Sequence, residues 1–108
     1  MDEICDIEIT APEADWLVNF TRSLVNDRLV ASGNLFHQVR SIYRWLEEVE
    51  DRSEVIVKLH TRQSLVPQII ERVNAQHPYQ VPGIRITEIK ASPAYHRWVL
   101  EATEPRDS

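Results

Sequence analysis

A strand pattern followed by a helical stripe occurs twice in these 108 residues, and a long β-rich run that turns back on itself separates the two occurrences. These observations predict an α+β fold of the split βαβ type, β-α-β-β-α-β with one further helix at the end. The first strand is read from Ile4 to Thr10, where Cys5, Ile7 and Ile9 alternate with Asp6, Glu8 and Thr10, as one buried face requires. Pro12 opens a helix, since its missing N–H has no intrahelical partner in a first turn, and Glu13 and Asp15 suit the positive end of the dipole. Leu17, Phe20, Leu24 and Val25, widened by Trp16 and Val18, make its apolar stripe, and the helix is expected to end at 26–28.

From Leu29 to Trp45 the pattern fits one long curved strand, with Gly33 and the His37-Gln38 pair as places for a bend or bulge. Leu46 to Arg52 reads as an acid-rich turn, and Val55 to Thr61 as the returning strand of the hairpin. Ser64 is expected to cap the second helix, with Pro67 in its first turn and Leu65, Ile69, Ile70 and Val73 on its buried side. That helix runs into Gln76-His77-Pro78-Tyr79-Gln80-Val81-Pro82, a proline-stiffened connector to a fourth strand carrying Ile84, Ile86 and Ile89. Ser92-Pro93 starts a short third helix bearing Tyr95, Trp98, Val99 and Ala102, and 103–108 reads as a loose tail. The order is that of a ferredoxin-like sheet with helices on one face. Its other face and the overhanging hairpin, with Tyr43 and Trp45, would be covered by association.

A chain of this length makes a single domain, 1–108, with its core over about 4–102. It is 43% hydrophobic and 27% charged with a formal net charge of −5, which opposes binding to nucleic acid or to an anionic membrane. No apolar run approaches the roughly 20 residues that span a bilayer. The one cysteine, Cys5, has no intrachain disulfide partner, and Asp2 and Glu3 follow Met1 where a signal region would be basic and then apolar. A cytoplasmic location is the expectation. With two glycines, a phosphate-cradling glycine loop is excluded.

Ser41-Ile42-Tyr43-Arg44-Trp45, Glu54-Val55, Ser64-Leu65-Val66-Pro67, His77-Pro78-Tyr79-Gln80-Val81-Pro82, and Tyr95 with Trp98 together resemble the CutA family of divalent-ion-tolerance proteins. Each motif is short and mostly apolar, but the ordered set is specific. The resemblance implies a homotrimer, similar in build to PII signalling proteins, whose hairpins wrap the neighbouring subunit and whose clefts lie between subunits. It also implies copper or another divalent ion as ligand. Of the three ligand positions proposed in some members, two hold Ile9 and Gln76 here, so His77 is the one good ligand left. Ser32 likewise stands where the family usually has a cysteine, and His60 where it usually has a lysine. The histidine exchanges a permanent cation for a group that titrates near pH ~6.5 when unperturbed. After Trp45, Leu46-Glu47-Glu48 replaces a glycine-containing turn.

Three function classes follow. A non-enzymatic binding trimer is preferred, with Tyr43, Trp45, His60 and Tyr79 as cleft residues and His77 as candidate metal ligand; a PII-like metabolite-signalling trimer is the alternative within this class. An enzyme ranks second, because no serine, cysteine or carboxylate is tied by sequence to a base. An RNA-recognition module ranks last, since Cys5–Thr10 and Val55–Thr61 carry no aromatic. Each candidate also has a plainer role: His77 as a helix-end hydrogen-bonding group, the aromatics as packing, Glu47 to Asp51 as a solvated loop, and Cys5 as a small buried hydrophobe.

Overall fold

A computed structural model describes residues 2–105. The elements run β1 (Ile4–Ala11), α1 (Ala14–Asn26), β2 (Ser32–Trp45), β3 (Glu48–Arg62), a 3-10 turn (Gln63–Leu65), α2 (Val66–Gln76), β4 (Ile84–Glu88) and α3 (Pro93–Ala102). The four strands form one antiparallel sheet in the order β2-β3-β1-β4. This is the α+β split βαβ arrangement that the periodicities predict.

Alternation along β1 sends Cys5, Ile7, Ile9 and Ala11 to one face, where they meet Val55, Val57 and Leu59 of β3 and the stripes of α1 and α2. The α1 stripe is Leu17, Phe20, Thr21 and Leu24, and Val25 stays exposed. Leu29 donates to the Leu24 carbonyl (2.9 Å) and Arg28 to that of Val25 (3.0 Å), the paired bonds that close a helix through a left-handed residue. Arg28, at φ 61°, occupies the position where glycine is usual.

The long hairpin differs from expectation at its end. Trp45 pairs directly with Glu48, so the turn is Leu46-Glu47 alone, and residues 48–52 belong to β3. Leu46 takes φ 56°, which supplies the positive φ without a glycine. The irregularity does fall at His37-Gln38: two residues oppose the single Val55, and Gln38 sits at φ 61°. Gly33 is not a bend. A Cβ there would lie 2.7 Å from the Thr21 methyl, so glycine at this position lets α1 approach the sheet.

Ser64 does not cap α2. It lies in the 3-10 turn and its hydroxyl donates to Asp2 (2.6 Å), while Pro67 opens the helix as expected. Ser92 does cap α3, accepting from the Tyr95 amide. This helix covers one end of the sheet's second face, where Val99 packs with Ile4 and Ala31. Its C-terminal carbonyls are held by two arginines from elsewhere in the fold. Arg28 donates to Glu104 (2.6 Å) and Glu101 (3.0 Å), and Arg62 to Leu100 and to the Thr103 hydroxyl. Thr103 is therefore not part of a loose tail: it is buried and bonded back to Val99. Residues 106–108 lie outside the described residues.

Candidate functional site

β1 stops pairing with β3 at Ala11 opposite Val55, and beyond that point the hairpin projects alone. The connector after α2 crosses at this root. Together they enclose a cleft of about 570 Å³ lined by Tyr43, Trp45, Glu50 and Arg52 from the hairpin and Pro78 to Val81 from the connector, with Arg44 at its edge. Its size falls within the range of small-molecule sites. The pairing Tyr43↔Glu50 sets Tyr43, Trp45, Glu50 and Arg52 on one face of the ribbon, so two aromatic walls carry one acid and one guanidinium, 3.5 Å apart.

Tyr79 reaches from the connector and donates its hydroxyl to Glu54, a carboxylate only 4% exposed. Burial, and then the Glu54 carboxylate beside it, push the Tyr79 phenol well above its ordinary range. Behind Tyr79 stands His77, 8% exposed. Its Nε2 lies 2.8 Å from the Thr10 carbonyl, and its Nδ1 accepts the Tyr79 amide at 2.9 Å. Trp16 meets the imidazole edge-on at 5.1 Å and itself stacks on Phe20 at 4.9 Å.

Three of the four cleft residues expected from sequence, Tyr43, Trp45 and Tyr79, converge in this cleft. His60 does not. It lies on the opposite side of the sheet from α1 and α2, 2.7 Å from Asp6 and 2.6 Å from Asn34, with Tyr95 edge-on at 6.3 Å. Glu50 and Arg52 lie in the acid-rich 46–52 segment, whose composition suggests a turn and hides its strand character. Counting the β3 alternation back from Glu54 would have put both on the Tyr43 face.

Within one chain, the positions implied as metal ligands do not make a ligand set. Ile9 is fully buried in the core, Gln76 is exposed, and both nitrogens of His77 are hydrogen-bonded within the chain. Freeing either nitrogen for a metal breaks a buried hydrogen bond, a loss of about 1–3 kcal/mol. Cys5 is fully buried, and burial, reinforced by the Asp6, Asp2 and Glu88 carboxylates, pushes its thiol up to about 11. Among the described residues no three His, Cys, Asp or Glu side chains converge as a metal centre requires. No helix is long and apolar enough to cross a membrane.

Comparison with known proteins gives a consistent answer. The family model described as CutA1 divalent ion tolerance protein matches residues 5–102. Protein CutA of Mus musculus is 36% identical over 97 residues, which are 89% of this chain but 55% of that protein, so the chain spans about half the length of this relative. The divalent-cation tolerance protein CutA of Thermus thermophilus is 35% identical over 104 residues, covering 95% of this chain and 99% of its own. Among solved structures, the divalent ion tolerance protein CutA1 of Ehrlichia chaffeensis superposes with a TM-score of 0.90 at 27% identity, over 96% of this chain and 98% of the other. With its sheet order, its hairpin and the 77–82 connector all in place, the chain belongs to the CutA1 divalent ion tolerance protein family.

Proposed function

We propose that this chain is a non-catalytic binding protein of the divalent-ion response, which assembles as a homotrimer and takes a small ligand in the cleft of Tyr43, Trp45 and Tyr79. The observation that carries the reading is the convergence of those three aromatics with Glu50 and Arg52 in one cleft of about 570 Å³. The residues at positions 9, 76 and 77 do not fit a copper ion, so the ligand is a small organic molecule, bound by stacking and by a charge-assisted contact to Arg52. The response to divalent ions is carried over from the relatives' names. Assembly is supported by the apolar side chains left on the projecting hairpin, Ile42 (66% exposed), Leu46 (78%) and Val49 (62%). The non-catalytic reading rests on the wiring of the His60–Asp6 pair. The ring's other nitrogen goes to Asn34, and no nucleophile is joined to it. We assign the protein to the cytoplasm, which suits its single, buried thiol.

The test is a thermal-shift screen of nucleotides, amino acids, dicarboxylates and divalent chlorides. At least one organic compound should raise the melting temperature by several degrees, and Arg52→Ala and Trp45→Ala should each abolish the shift. A screen without a stabilising organic compound, or a shift that survives both substitutions, sinks the cleft reading. Sedimentation at micromolar concentration should give three times the 12.6 kDa chain mass, and a monomer would end the trimer reading.

A further inference from the structure

The 77–83 connector lacks regular secondary structure, yet its first residues are tied at three points. The His77 amide closes α2 on the Val73 carbonyl (2.8 Å), its Nε2 reaches the Thr10 carbonyl at the end of β1, and its Nδ1 takes the Tyr79 amide. A backbone N–H can only donate, so the Nδ1 facing Tyr79 must present its lone pair. A carbonyl can only accept, so the Nε2 facing Thr10 must carry the hydrogen. The two neighbours select one tautomer. The same Tyr79 whose amide is fixed in this way then places its hydroxyl on Glu54, which pairs with Val39 just past the bulge in β2. A continuous hydrogen-bonded path thus joins the end of β1, the exit of α2 and the root of the hairpin.

We propose that His77 is a positioning residue held as the Nε2–H tautomer, that it locks the connector to β1 and seats Tyr79 against Glu54 at the cleft wall, and that no divalent cation is taken at this residue. Metal ligation needs an in-plane lone pair, and the only one on this ring points at the Tyr79 amide. Trp16 and Tyr79 lie against the ring, each 5.1 Å from it between centroids. At 8% exposure little of the ring is left open to an ion shared with another copy of the chain. The assignment is independent of which molecule fills the cleft, because it concerns the ring's own bonds.

The first measurement uses the unmodified protein: nitrogen chemical shifts of the 15N-labelled His77 ring at neutral pH. A protonated Nε2 and an unprotonated Nδ1 are expected, and the opposite tautomer would overturn the assignment. The second is titration with copper(II) chloride, followed by calorimetry and by electron paramagnetic resonance, on the wild type and on His77→Gln. Either no stoichiometric binding, or binding that the substitution leaves unchanged, is expected; both place any copper ligands elsewhere. One ion per chain in the wild type and none in a folded His77→Gln would overturn it. A third readout separates positioning from bulk packing. Tyr79 faces Glu54, Tyr43 and Arg52, and its phenol is held above the ordinary range by burial in this seat and then by the Glu54 carboxylate beside it. In His77→Gln one tyrosine should move back toward ordinary titration in the ultraviolet, and an unchanged profile would refute the seating role.

Discussion

Gly33 and Thr21 mark a close approach between α1 and β2. The Cβ of Gly33→Ala would meet the Thr21 methyl at 2.7 Å, with Leu59 and Val57 at 3.1 Å, so the substitution should destabilise by about 1–3 kcal/mol. Thr21→Ser removes the methyl, and the double variant should recover most of the loss in a urea-unfolding cycle. Simple additivity would show that the contact is not the cause. Cys5 makes a second prediction at this scale. Its thiol pKa is raised from 9.0 to about 11 in the fold, so its contribution to stability is complete below pH 9 and is lost as pH rises through about 11, while the unfolded chain ionises first. The urea midpoint of the wild type should therefore fall toward that of Cys5→Ala between pH 9 and 11. A constant gap between the two would contradict the assignment. Both residues were visible in the sequence, Cys5 as a buried hydrophobe and Gly33 as an anomaly in a strand. The partner that makes Gly33 necessary is 12 positions away on a helix and has no local signature.

At the scale of elements, α3 and the hairpin turn each depend on a residue in an unfavoured conformation or on a bond from far along the chain. α3 has no basic residue in its own last turn, and Arg28 and Arg62 supply the positive charge there. Arg62→Ala should cost about 1.5–3 kcal/mol, and hydrogen exchange should show lost protection confined mainly to 93–103. Arg28→Gly should be less damaging than Arg28→Ala. Both lose the bonds to Glu101 and Glu104, but glycine accepts φ 61° without the strain of roughly 1 kcal/mol that alanine keeps. The Leu46-Glu47 turn makes the converse case, where Leu46→Gly should stabilise by up to about 1 kcal/mol, read from the urea midpoint. β1, most of each helical stripe and the Ser92 cap were legible because alternation and capping are local. The turn was misplaced because a run of acids looks like a loop until the pairing of Trp45 with Glu48 extends the ladder through it.

The whole molecule is longer than its chain length requires. Its radius of gyration is 14.7 Å against about 13 Å for a compact chain of this size, and its extents are 46 × 30 × 21 Å. The excess is the part of the hairpin beyond Glu54, which has no third strand beside it. Ribbons of two strands are marginal alone, so this one needs a surface to lie on. If that surface is another copy, Ile42→Asp with Val49→Asp should shift sedimentation from trimer toward monomer at micromolar concentration while leaving the circular dichroism of the sheet intact. Unchanged mass would place the contact elsewhere.

The sequence by itself determined the element order, the buried face of β1, most of the buried stripes of α1 and α2 and the Ser92 cap, and it offered His37-Gln38 beside Gly33 as places for a bulge. These follow from periodicity and capping over a few neighbouring positions, whereas Tyr43, Trp45 and Tyr79 were named as cleft residues by the resemblance to the CutA family. The tertiary structure decided what the histidines do. His60 and His77 look alike in sequence, each a titratable ring near an element end. Register puts His60 between Asp6 and Asn34 on the sheet's second face, and the crossing of the connector puts His77 against Thr10 and Tyr79. The bonds of a ring nitrogen are made to groups up to 67 positions away, and only the packed chain brings them within 3 Å.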